Sequence, residues 1–255
     1  KFQTMKKLLL LLLVLPFVIS SCSKKGCTDV FANNFEEKAK TDDGSCEYDL
    51  IEGALAHYPL DGNGIDISGN SYNGLIEGGV TPATNREGVI GKALLFNGVD
   101  GRIVINDAPK IDSVTELTVS FWYLTYEDGR NQTVTTMSGK YGSGFQGEKF
   151  TFRPDLSQVK VNGSWTGIVP FYYETDSWIH FVMTYDGEDM ILYQNGEKIE
   201  QEIFSGSVDV VDGSSIKIGQ HWDGDPQWFD GKIDDLMIWG RALSETEVVS
   251  LYKSD

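Results

Sequence analysis

Histidine and cysteine are scarce in this chain, with three of each among 255 residues. His57, His180 and His221 lie far apart, and none has a partner at the spacing of a zinc site or a serine triad. Zinc hydrolysis and histidine-assisted nucleophilic catalysis therefore find no support. Basic residues are also few: 21 Lys and Arg stand against 38 Asp and Glu, for a formal charge of −17. A surface of that sign repels phosphate backbones, which excludes nucleic acid as a partner and argues against electrostatic docking on anionic surfaces. It suits solubility and cation binding. No similarity recurs with a period of 20–50 residues, so a solenoid or propeller is disfavoured.

The one long apolar run lies near the beginning. Met5-Lys6-Lys7 is a short basic segment followed by Leu8 to Ile19. A spanning helix needs about 20 apolar residues, so this shorter run reads as the core of a secretory signal occupying residues 1–21, with translation starting at Met5. It ends in Ile19-Ser20-Ser21-Cys22, which resembles the lipobox of bacterial lipoproteins and implies diacylglycerol on Cys22 and anchoring to outer-membrane lipid in the cell envelope, on either its periplasmic or its surface side. The plainer alternative is an ordinary signal cut near Ser21. Losing the three lysines of this acid-free segment takes the charge from −17 to −20.

Two cysteines then remain, Cys27 and Cys46, in a chain sent to an oxidising compartment, where a disulfide is the default and metal binding the minor alternative. Residues 22–50 are otherwise polar and show no strand or helix period. Cys27-Thr-Asp, Ala32-Asn-Asn-Phe35 and Asp42-Asp-Gly-Ser-Cys-Glu-Tyr48 resemble a small module of secreted proteins from Bacteroidetes-type bacteria. Its acids could bind calcium, or the segment could be a solvated spacer.

From Ile51 to Asp255 the pattern becomes short runs of period 2 separated by Gly, Asn and Asp turns, the signal of an all-β sandwich or barrel. Leu117–Leu124 and Trp178–Tyr185 alternate with large groups on both faces, which predicts a sandwich core inside and aromatics lining a groove outside. Gln194-Asn195-Gly196-Glu197 predicts a type I′ hairpin, because Asn-Gly accepts positive φ. Ser244-Glu-Thr-Glu247 has capping-box spacing before Val248, Val249, Leu251 and Tyr252, predicting a short C-terminal helix.

Gly91-Lys-Ala-Leu-Leu-Phe-Asn-Gly98, Phe121-Trp122, Trp178-Ile-His180, Thr184-Tyr-Asp-Gly187, Leu192-Tyr-Gln-Asn-Gly196 and Gly231-Lys-Ile-Asp-Asp-Leu-Met-Ile-Trp-Gly-Arg-Ala-Leu-Ser244 resemble, in order and spacing, the bacterial laminin-G-like domains of concanavalin A-like type. The resemblance implies a two-sheet antiparallel jelly roll, used in adhesion, in glycan binding or as an accessory to secreted enzymes. Fold alone does not fix which.

Glucanases of this sandwich work with a Glu-x-Asp-x-x-Glu strand. Here the pattern occurs once, Glu47-Tyr-Asp49-Leu-Ile-Glu52, outside the domain's centre, and reads as an acidic linker; Glu174-x-Asp176 has Ile179 in place of the last Glu. Calcium is the better case. Asp61, Asn63, Asp66 and Asn70 cluster among glycines after the first strand, where the family often holds a structural ion. Asp234, sharing a face with Leu236 and Ile238, or Asp235, sharing the other with Ile233, Met237 and Trp239, could complete that site; alternatively Asp234 takes backbone N–H groups or pairs with Arg241. For ligand contact, His221, Trp222, Asp223, Asp225 and Trp228 combine flat aromatic faces with carboxylates, the chemistry that holds sugars. Trp165, Tyr172 and Tyr173 form a second group. The expected function is non-catalytic binding of a glycan or protein ligand. A hydrolase or lyase of the same fold, and a purely adhesive subunit, are the alternatives.

Overall fold

A computed structural model describes residues 23–30, 32–51, 53–126, 131–138, 148–166, 174–211 and 213–254. The expected signal, Cys22, Glu52, Tyr172 and Tyr173 lie outside these residues. The chain divides into two compact units, residues 1–47 and 48–255.

In the first unit, β1 (Lys25–Gly26) pairs in parallel with β2 (Thr41–Asp42). Cys27 and Cys46 form a disulfide, with Cα atoms 4.8 Å apart. The acids of this segment serve its own turn: the Gly44 and Ser45 amides donate to Asp42 Oδ1 (2.8 Å) and Asp43 Oδ1 (3.1 Å). Asn34 bridges to the Ser45 carbonyl and the Glu47 amide. With so little apolar surface to bury, the cross-link carries much of the order.

The second unit is a two-sheet antiparallel sandwich. Its strands are β3 (Ala56–Tyr58), β4 (Leu75–Glu77), β5 (Val80–Thr84), β6 (Ile90–Asn97), β7 (Arg102–Asn106), β8 (Leu117–Thr125), β9 (Thr135–Ser138), β10 (Glu148–Arg153), β11 (Leu156–Val161), β12 (Ser164–Trp165), β13 (Ile179–Tyr185), β14 (Asp189–Gln194), β15 (Glu197–Ile203), β16 (Ser215–Ile218) and β17 (Asp230–Trp239). Among the described residues two helices accompany them, α1 (Pro109–Asp112) and α2 (Glu245–Lys253). One sheet runs β12-β11-β10-β9-β16-β7-β4; the other runs β15-β14-β13-β8-β17-β6-β5, with β3 also on β17.

Alternation places Leu117, Val119, Phe121 and Tyr123 of β8, and Ile179, Phe181, Met183 and Tyr185 of β13, in the core between the sheets. The rings of Phe121, Phe152 and Phe181 meet there at 4.9–6.4 Å, a spacing suited to tilted aromatic contact. The hairpin forms as its sequence requires, with Asn195 at φ 52° and Gly196 at φ 76° between β14 and β15. The helix forms as well. Ser244 Oγ accepts the Glu247 amide, and Glu247 accepts the Ser244 amide.

The outer face of the larger sheet departs from the sequence expectation. Val182, Tyr193, Met237 and Trp239 on it form a second apolar layer instead of lining a groove, covered by α2 through Val248 and Leu251 and by Leu50 and Ala54. Trp239 Nε1 ties that covering segment down by donating to the Leu50 carbonyl (3.0 Å). A fully buried side chain of this size contributes about 1.5–3 kcal/mol, which is enough to hold a nine-residue helix that would be marginal alone.

Candidate functional site

The outer face of the smaller sheet is polar instead. Its register puts Glu77, Arg102, Lys217, Thr136 and Thr151 on one face, across β4, β7, β16, β9 and β10. The loop from Gly219 to Phe229 folds over part of it. Asp223 receives Lys217 Nζ at 2.7 Å and Arg102 Nη1 at 3.2 Å, while Arg102 Nε donates to Glu77 at 2.7 Å. The Lys217 hydrogen bond is the main reason the Asp223 carboxyl sits below its ordinary range. Its side chain is still 75% exposed. Asp225 accepts Gln227 Nε2 (2.8 Å), and Gln227 in turn accepts Arg153 Nη1 (3.2 Å).

Two aromatics accompany these charges, Trp222 and Trp228, both partly exposed. The Trp222 ring lies against Gly224 so closely that a Cβ there would stand 1.8 Å from it. Trp222 Nε1, Thr151 Oγ1 and Ser215 Oγ are enclosed yet have no hydrogen-bond partner. His221 does not join the exposed set. It is buried, with Nε2 3.2 Å from Oε1 of the equally buried Glu148, because the loop turns back over the sheet and carries the imidazole inward. Sequence reading placed it at the ligand surface because a histidine beside a tryptophan gives no sign of which way the loop folds.

A second site lies on the other outer face. Asp235 has φ 43°, and the β17·β8 register slips between Asp234 and Met237, so a β-bulge interrupts alternation. Both carboxylates consequently reach one guanidinium: Arg86 Nη1 donates to Asp234 Oδ2 (2.7 Å) and Nη2 to Asp235 Oδ2 (3.0 Å). The expectation that Asp234 and Asp235 occupy opposite faces is therefore corrected, and Arg241 pairs with Glu247 rather than Asp234. Arg86 stacks on Trp122 at 4.7 Å, and Trp122 also meets His180 (4.8 Å) and Tyr252 (5.6 Å). Burial and the Asp235 charge push the Asp234 carboxyl up to about 8, with Arg86 pulling the other way. Burial likewise pushes His180 down to about 3 and keeps it neutral. Between this cluster, residues 48–51 and α2 is a pocket of about 240 Å³. Arg86 carried no sequence signal, since it comes from an ordinary turn, Asn85–Gly88.

The family model of the concanavalin A-like lectin/glucanase superfamily, in its laminin-G form, matches residues 97–249, more than half of the chain. The chain belongs to this superfamily. Among solved structures, domain 4 of AbnA, an extracellular arabinanase of Geobacillus stearothermophilus solved with arabinotriose, is 21% identical with a TM-score of 0.64, over 78% of this chain and 98% of that one. The binding domain of Paraclostridial Mosquitocidal Protein 1 is 21% identical with a TM-score of 0.62, over 80% and 53%. The receptor-binding domain of botulinum neurotoxin C/D mosaic serotype is 21% identical with a TM-score of 0.59, over 81% and 52%. The laminin-G domain thus spans about half of those toxin domains. No curated protein sequence matches the chain.

The residues expected to hold calcium in this laminin-G domain do not fit a cation. Asp66 accepts the His57 and Ser68 amides on Oδ1 and the Tyr72 amide and Ser68 hydroxyl on Oδ2, all at 2.9–3.0 Å. Those donors occupy the directions a metal would need. Asp61 pairs with Lys92, Asn63 closes its own turn on Asp61 and Ile65, and Asn70 spans Leu55 and Lys110. Asp234 and Asp235 are held by Arg86. No group of three His, Cys, Asp or Glu able to hold a metal gathers among the described residues. As for the acidic pattern at residues 47–52, no strand runs through its described part, and Asp49 is exposed. Glu174 and Asp176 are exposed too.

Proposed function

We propose that this laminin-G domain is a non-catalytic glycan-recognition module of a lipid-anchored envelope protein. The polarity of the smaller sheet's outer face carries the reading. Where α2 packs on the larger sheet the face carries Val182, Tyr193, Met237 and Trp239, whereas here Glu77, Arg102 and Asp223 reach the surface, backed by the buried Lys217 and Gln220, with two partly exposed tryptophans in the adjoining loop. Paired charges hold each other's hydrogen-bonding groups in fixed directions, which suits hydroxyl recognition, and the indoles supply flat apolar area for a sugar ring. The likeness to an arabinanase domain solved with arabinotriose supports a carbohydrate over other polar ligands.

A glycan array probed with the wild-type chain and with the Trp222→Ala, Trp228→Ala and Arg102→Ala variants tests the reading. Binding to defined glycans, weakened at least about tenfold by each substitution at unchanged melting temperature, is expected, as tenfold corresponds to about 1.4 kcal/mol. Binding indifferent to all three, or none to any glycan, overturns it. Release of reducing ends from a bound glycan would favour the hydrolase alternative. Anchoring is tested by labelled fatty-acid incorporation that Cys22→Ala abolishes.

A further inference from the structure

The pocket beneath α2 lies on the opposite sheet from the polar face and is independent of the reading above. Its floor consists of two rows of side chains set by register. His57, Met237 and Ser120 lie side by side across β3, β17 and β8, and Trp122 and His180 lie side by side in the next row. Asp235 enters beside them only because of the bulge. Residues 48–51 form one wall and Ser250, Leu251 and Ser254 the other. The floor is closed, with His180 1% and His57 4% exposed, while Asp49, Ile51 and Ser254 at the rim face solvent.

Two features of the floor ask for a ligand. His57 Nε2 stands 3.5 Å from Asp235 Oδ1, and a carboxylate can only accept, so Nε2 is the donor of this contact and Nδ1 is the ring nitrogen left over. That Nδ1 is buried without a partner. His180 Nε2 is taken up by Ser120 Oγ at 2.9 Å, and its Nδ1 is buried without a partner as well. Unpaired buried nitrogens are uncommon and costly unless something completes them.

The lining also decides the kind of molecule. It contains no lysine or arginine, so an anion would meet only Asp49 and Asp235. A cation would find both Asp235 oxygens engaged, Oδ1 by His57 and Oδ2 by Arg86, and the other carboxylate, Asp49, out at the solvent-exposed rim. The lining otherwise offers the two imidazoles, the Ser250 hydroxyl, the remaining capacity of the Ser120 and Ser254 hydroxyls, which already bond His180 Nε2 and the Leu251 carbonyl, and the apolar surfaces of Leu50, Met237 and Leu251. A volume of about 240 Å³ holds roughly eight waters, or one six-membered ring with its substituents.

We propose that this pocket is a second binding site, taking one compact, uncharged, hydroxyl-bearing ring of monosaccharide size. The hydroxyls complete the two imidazoles, and the ring's apolar face lies along Met237 and Leu251.

Saturation-transfer NMR on the full chain with neutral monosaccharides (glucose, galactose, mannose, xylose and arabinose) tests this, with glucuronate and glucosamine as charged counterparts. Expected is millimolar binding of at least one neutral sugar, weakening at least about tenfold for its charged analogue, a difference of about 1.4 kcal/mol. Ser250→Phe, which fills the pocket from the helix, should abolish the signal, and Ser254→Trp at the exposed rim should do the same should the first variant fail to fold. Trp222→Ala should leave it intact, whatever that substitution does on the glycan array. Failure of every neutral sugar to bind, equal binding of the charged analogue, or survival of the signal in a folded Ser254→Trp chain overturns the proposal. Loss in Trp222→Ala alone places the sugar on the other face and overturns it too.

Discussion

Arg86 and Asp234 form a pair at 2.7 Å with side chains only 10% and 2% exposed, and the same guanidinium also holds Asp235 while lying on Trp122. At about pH 9, where the Asp234 carboxyl has given up its proton, removing one member of this buried pair leaves an uncompensated charge, at a cost of about 3–5 kcal/mol. Arg86→Met should therefore lower the urea midpoint strongly. Adding Asp234→Asn to it should recover part of the loss, since the amide needs no counter-charge. A double variant as unstable as Arg86→Met alone would show that packing on Trp122, rather than charge, is what Arg86 supplies.

Stability should fall as pH rises from about 6.5 to about 8. In the folded state Asp234 is pushed up from 3.8 to about 8, so across that range it keeps a proton that the unfolded chain has released. Stability then declines with pH by up to about 1.4 kcal/mol per unit. His180 acts oppositely. Pushed down from 6.5 to about 3, it stays neutral while the unfolded chain takes up a proton, so its contribution falls as pH drops below 6.5. The two offset each other between about 4 and 6.5, leaving Asp234 visible above. Thermal unfolding of Asp234→Asn should show a flatter profile between pH 6.5 and 8 than wild type, and an unchanged slope would count against Asp234.

Gly196 joins the hairpin to the helix. At φ 76° a side chain is strained, and a Cβ would stand 2.9 Å from Tyr252 Cδ1 of α2. Gly196→Ala should cost about 1–2 kcal/mol from the backbone alone. Combining it with Tyr252→Ala should make the glycine substitution less costly than it is in the wild-type background, which a double-mutant cycle in urea would measure.

Chelation should leave the melting temperature unchanged. A resident cation at a hundred times its Kd would contribute about 2.7 kcal/mol, yet Asp66 already takes four donors. Asp66→Ala should instead destabilise by about 2–6 kcal/mol with or without calcium, at about 0.5–1.5 kcal/mol per lost hydrogen bond. A drop in melting temperature with chelator would restore the cation site.

Reduction should act on the first unit. Opening the Cys27–Cys46 link, 19 residues apart, removes about 3 kcal/mol of cross-link stabilisation. Cys27→Ser should make residues 23–47 sensitive to protease while the sandwich keeps its thermal transition.

Much of this was legible in the sequence, and the reason is periodicity. Alternation in β8 and β13, the Asn195-Gly196 turn and the Ser244-Glu247 cap are local rules, and each element obeys them. The candidate sites were less legible because they depend on local exceptions. A bulge at a non-glycine residue moved Asp235 to the face of Asp234, and the period-2 pattern could not show that. Arg86 joined them from a turn 148 residues away in sequence. Trp122 and His180 were readable as outward-facing, but their covering by a helix that starts at Glu245 was not. In the loop Asp223 is exposed and pairs with Lys217 and Arg102, Trp222 and Trp228 are half-buried, and His221 is turned inward, a direction that the sequence did not carry.

The end of α2 has a practical bearing on how this protein is handled. Leu251 and Ser254 form a wall of the pocket, and Tyr252 packs on Trp122 and against Gly196. A purification tag or fusion partner joined after this helix would hang at the pocket's mouth and pull on the turn that seals it. An assay of small-ligand binding on such a fusion would report on an obstructed pocket, so a cleavable tag, removed before measurement, is the appropriate format.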